Sequence, residues 1–92
     1  MKHARIHKEF LERIRLILLE VWDPVGIGDN PLLRSEYDTY LSDISKLILD
    51  TSTTVDVIAR HLMYIEQDKM GLPGHEQTRL EAAKALANLV YG

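Results

Sequence analysis

The chain reads as all-α: a compact, single-domain, four-helix, bundle-like array with one long ordered loop after the first helix. Three observations predict this. Apolar residues recur at spacings of three and four over four stretches, about residues 4–21, 36–50, 54–69 and 76–90. No stretch alternates apolar and polar residues as a half-buried strand would, and the β-branched run from Thr51 to Val57 reads better as a cap region. The breaks between the stretches are short and turn-rich except the first, which spans about 14 residues. At 92 residues there is room for one hydrophobic core and no second domain, and no internal repeat is present.

Helix one places Ile6, Phe10, Ile14, Ile17, Leu18 and Val21 on one stripe, with Glu9 and Arg13 as an i,i+4 pair. Its charges oppose the helix dipole, so tertiary packing must hold it. Leu16 and Leu19 point away from the stripe and need a cover, which could be the loop, another helix or a second copy of the chain. Helix two carries Tyr37, Tyr40, Leu41, Ile44, Leu47 and Ile48 inward, with Ser35 as the expected N-cap and Glu36 and Asp38 in the first turn. Thr51 to Thr54 supply caps for helix three, whose core face is Val55, Ile58, Ala59, Leu62 and Ile65 and whose stop signal is Gly71. Val57, His61 and Tyr64 form a second stripe on its opposite side. After Leu72-Pro73-Gly74-His75, helix four turns Leu80, Ala83, Leu86, Ala87 and Val90 inward.

Composition narrows the functional classes. Hydrophobic residues at 46% and charged residues at 27% describe a folded globular chain, not a disordered one. Without cysteine there are no disulfides, thiolate metal sites or cysteine nucleophiles, which fits a reducing compartment and makes the cytoplasm the expected location. The first residues lack the uninterrupted apolar region of a secretory signal, and the longest apolar run, Leu16 to Leu19, is far below the roughly 20 residues of a membrane span. Net charge is −3 but uneven: residues 1–15 hold five basic and two acidic side chains, while residues 20–50 hold two basic and seven acidic. The acidic middle disfavours nucleic acid and favours a basic protein partner, unless the basic first helix lies alongside and cancels its field.

The segment from Trp22 to Pro31 holds the only tryptophan, two prolines, two glycines and two aspartates. It supports two readings. The simpler is a hydrophobic clamp in which Trp22, Val25 and Ile27 cover Leu16 or Leu19 while the aspartates bond loop amides. The functional one is a protein-binding surface in which Trp22, Tyr37 and Tyr40 are ringed by Asp23, Asp29, Glu36 and Asp38. The same carboxylates with Asn30 offer oxygen ligands, but their spacing is not that of a calcium loop, and no metal site is assigned. Gly26-Ile27-Gly28 lacks the third glycine and preceding strand of a dinucleotide fingerprint, so no cofactor is expected. His3 and His7 share a helical face without the carboxylate of a zinc motif, His61 and His75 stand alone, and the serines lack a nucleophile-elbow context. No catalytic residues are therefore assigned.

Trp22-Asp23-Pro24-Val25-Gly26, followed by Glu36-Tyr37-Asp38, resembles a family of small bacterial proteins of unknown function with a Trp-Asp-Pro-(Ile/Val)-Gly signature and a downstream Glu-Tyr-Asp. The resemblance covers about the first two thirds of the chain. It implies a compact all-α domain and supplies no activity; some relatives look like companions of bacterial toxins. The expected function is thus a non-catalytic protein-interaction module, of the toxin-neutralising kind. The alternatives are a homodimeric accessory protein that buries Leu16, Leu19 and Tyr64, and a small enzyme using carboxylates between Trp22 and Asp38.

Overall fold

The computed structural model describes the backbone of residues 2–91 and the side chains of residues 8–90. Four α-helices carry it: α1 (Lys2–Ile17), α2 (Leu41–Leu49), α3 (Val55–Tyr64) and α4 (Glu76–Tyr91), with no strand among the described residues. His3 and His7 lie outside the described side chains. The radius of gyration is 12.7 Å, close to the ~12 Å expected of a folded chain of this length. The all-α, bundle-like fold is therefore as the periodicity predicts.

The helix α4 is the hub, packing on α3 most extensively and also on α1, α2 and the turn that follows α1. Alanines make this possible. Ala82, Ala83 and Ala87 are buried with Leu86, so neighbouring backbones approach closely. Facing them are Ile14 and Leu18 from the first helix, Ile44 and Ile48 from α2, and Ile58, Leu62 and Ile65 from α3 and its extension, which together form one core.

Several local expectations need correction. The α1 geometry stops at Ile17 and continues as one wider π turn, Leu18–Trp22; α3 likewise continues as a π turn, Ile65–Lys69. Helix two starts later than expected, because residues 31–40 fold as successive tight turns, including short 3₁₀ segments at Pro31–Leu33 and Asp38–Tyr40. Ser35 accordingly caps nothing with its side chain, whereas the Asn30 side chain accepts from the Leu32 amide and Thr54 accepts from the Val57 amide. Val90, expected inward, is exposed. Leu19 is buried within its own chain and Leu16 is half-buried.

Candidate functional site

The π turn at the end of α1 delivers the chain into the elbow. Opening the helix by one residue lets the Asp23 amide donate to the Leu18 carbonyl at 2.8 Å and leaves Asp23 in the left-handed region, φ 31° and ψ 60°. Its carboxylate then organises the elbow from inside. Oδ1 accepts from the amides of Gly26 (3.1 Å) and Ile27 (2.8 Å) and from the Tyr37 hydroxyl (2.8 Å), while Oδ2 accepts from the Gly28 amide at 2.8 Å. Gly28 is required by proximity, since a Cβ there would collide with the Leu19 carbonyl oxygen. Partial burial pushes the Asp23 pKa upward, but the Ile27 amide, the Tyr37 hydroxyl and the Gly28 and Gly26 amides outweigh it and hold the group below the ordinary aspartate value.

Tyr37 closes this network from the far side of the loop. Its side chain is 1% exposed, and its hydroxyl donates to Asp23 while accepting from the Val25 amide at 3.2 Å. Burial, reinforced by the Asp23 charge, pushes its pKa well above the usual tyrosine value, although the Val25 amide opposes this. The turns over residues 31–40 exist to bring this ring inward. These turns stand in place of the expected first turn of helix two.

Trp22 sits behind the tyrosines. It is 2% exposed, tilted against Tyr37 at 5.4 Å between centroids and edge-on to Tyr40 at 6.5 Å. Its indole Nε1 donates to Glu66 Oε2 at 2.6 Å, across 44 positions of sequence. Glu66 is 1% exposed, and Arg79 on α4 donates to its other oxygen from Nε (3.0 Å) and Nη2 (2.6 Å). Both carboxylate oxygens are therefore engaged, and no buried side-chain polar atom among the described residues lacks a partner. Gly74, at φ +72°, passes so close that a Cβ would meet Glu66 Oε1. The two π turns thus face each other through an indole–carboxylate–guanidinium node.

Of the residues expected to form a binding surface, the structure divides the set. Trp22 and Tyr37 are buried and cannot serve as solvent-facing aromatic anchors; this part of the expected surface is corrected, because their rings and polar atoms all serve the interior. Tyr40 is half-buried. Asp23 is committed to the elbow, and Asp38 accepts a two-pronged contact from Arg15, Nε at 2.8 Å and Nη2 at 2.9 Å. Arg15 also pairs with Glu12, which in turn pairs with Arg34, so α1 neutralises Asp38 and also occupies one of the two bases of the acidic middle. Asp29 and Glu36 remain exposed, and among the described residues neither carboxylate accepts a hydrogen bond or forms an ion pair.

Sequence reasoning missed Glu66, Arg79, Gly74 and Arg15. A signal existed for Glu66: it follows Leu62 by four and Ile58 by eight, which places a carboxylate on the apolar stripe of its helix. A charge there demands a buried partner. Nothing local marks Arg79 as that partner.

The fold and the elbow together define a class, a small helical domain whose one long connection is clasped from within. No family model, curated protein or solved structure matches this chain.

Proposed function

We propose that this chain is a non-catalytic protein-interaction domain, and that the outer side of the elbow and the segment entering α2 engage a basic partner protein. One observation carries the reading. The elbow is fixed internally by Asp23, Tyr37 and Trp22, yet among the described residues the carboxylates of Asp29 and Glu36 are unpaired, and the same segment exposes Leu32 (89%) and Val25 (54%). A stiff loop carrying free carboxylates and exposed apolar side chains matches what protein interfaces use, with little ordering cost on binding. Asp29 and Glu36, with Tyr40 behind them, replace the larger surface that Trp22, Asp23, Tyr37 and Asp38 would have supplied.

The resemblance of the elbow to a bacterial family with toxin companions makes a toxin the partner we put forward, met and neutralised in the cytoplasm. The engagement of Asp23 and Asp38 with internal partners argues against an enzyme built on these carboxylates. The burial of Leu19 argues against a homodimer sealing Leu16, Leu19 and Tyr64. The test is an Asp29→Lys, Glu36→Lys double variant. It should fold as the wild type by circular dichroism and lose the partner that the wild-type chain captures and that mass spectrometry identifies; unchanged affinity for that partner would remove the proposed surface.

A further inference from the structure

A groove of about 390 Å³ runs between the elbow and the end of α3. Val25, Ile27 and Leu33 line it from the elbow side of the chain, Tyr40 from the turn that enters α2, and Met70 from just beyond the second π turn. Met70 is placed there by the second π turn, with its amide donating to the Ile65 carbonyl at 3.0 Å. The residue that follows the second π turn thus reaches the groove. Among its described lining residues Glu36 alone is charged, and among the described residues its carboxylate has no hydrogen-bond or ion-pair partner. The volume lies toward the small end of the roughly 300–1,000 Å³ that ligand sites occupy, and a few side-chain anchors are what such a space admits.

We propose that this groove receives an apolar side chain from a basic, amphipathic segment of another protein, with Glu36 at its rim pairing a lysine or arginine of that segment. This rests on the reading of the chain as a protein-binding domain and names the chemistry of its partner. Charge selects the occupant. Residues 20–50 hold seven acidic and two basic side chains, and of the two basic ones Arg34 is already paired with Glu12. Exposed Glu20 and Asp29 add to the negative field of the elbow, so an acidic segment would be repelled and a neutral one would leave Glu36 unpaired beside an apolar contact. The groove also has a built-in reporter, because Trp22 packs against Tyr40 and Tyr37, both of which line it.

The experiment titrates the full chain with a synthetic peptide of repeating Leu-Leu-Lys-Lys, followed by Trp22 fluorescence and by backbone amide shifts. The expected result is saturable binding with shifts centred on residues 25–28, Tyr40 and Met70, weakened about tenfold or more by Met70→Gln and by Glu36→Lys, as for loss of an interface anchor. Glu81→Lys, on the exposed side of α4, should leave it unchanged. Equal binding of a peptide with serine in place of leucine would overturn the groove while leaving the acidic protein-binding surface standing. Binding of neither basic peptide would overturn both. Equal binding of a Leu-Leu-Glu-Glu peptide would overturn the assigned charge, and a dimer in sedimentation equilibrium that Met70→Gln dissolves would make the occupant a second copy and overturn the proposal.

Discussion

Gly71 and Gly74 have nearly the same backbone, φ +68° and +72°, but different surroundings: a Cβ at Gly71 meets nothing within 4 Å, whereas one at Gly74 meets the Glu66 carboxylate. The pair separates conformational strain from collision. Gly71→Ala should cost about 1 kcal/mol, the penalty of a left-handed alanine, and Gly74→Ala clearly more, roughly 2–4 kcal/mol, since it also disturbs a buried charge pair; urea denaturation of the two variants checks the difference. Asp23 and Tyr37 make a second residue-scale prediction, about pH. The folded Asp23 pKa lies below its reference value of 3.8, so its contribution is fully present above that value and is lost as pH falls through the lower, folded pKa. The Tyr37 pKa is raised above 10.0, so its contribution is fully present below pH 10.0 and is lost at more alkaline pH, as the pH climbs through the folded value. Denaturant midpoints measured across pH should therefore fall at both ends, with the acid slope reduced in Asp23→Asn and the alkaline slope reduced in Tyr37→Phe.

At the scale of the element, apolar spacing made the helices legible and could not make their ends so. Ile58, Leu62, Leu86 and Ala87 face the core as their periodicity requires. The π turns at Leu18–Trp22 and Ile65–Lys69 leave no mark in that spacing, since each differs from an α turn by a single residue and is favoured only by distant contacts, the Trp22–Glu66 bond among them. Ser35 misled for a related reason: it has a capping residue's chemistry, but Tyr37 must turn inward to reach Asp23, and tight turns replace the expected first turn of helix two. The prediction is a contrast between two hydroxyls. Thr54→Ala, which removes the acceptor for the Val57 amide, should cost about 1 kcal/mol, while Ser35→Ala should stay within about 0.5 kcal/mol, both read from thermal or urea unfolding.

Across the whole molecule, the node of Trp22, Glu66 and Arg79 ties the end of α1 to the end of α3 and the start of α4, three places far apart in sequence. Glu66→Gln should thus destabilise the entire domain by about 3 kcal/mol rather than loosen one loop, because Arg79, itself largely buried, loses its buried counter-charge. Trp22 fluorescence and far-ultraviolet circular dichroism should continue to report one coincident transition; separate transitions would mean that the elbow melts alone. Charge segregation was also legible only in part. The acidic middle is real in sequence, but Arg15 reaching Asp38 takes up one of its carboxylates, Glu12 reaching Arg34 takes up one of its two bases, and Asp29 and Glu36 are left exposed. Pairings across more than 20 positions follow from the fold and not from any local pattern.

The close pass of Gly74 over Glu66 has a consequence for descent. The glycine is needed partly because the carboxylate occupies the space a methyl group would take, so the two positions should be inherited as a unit. A lineage that shortens residue 66 frees residue 74 from the collision, leaving only the backbone penalty to disfavour other side chains there. A lineage that fills position 74 while keeping the glutamate must push that carboxylate aside, and with it the partner of the tryptophan.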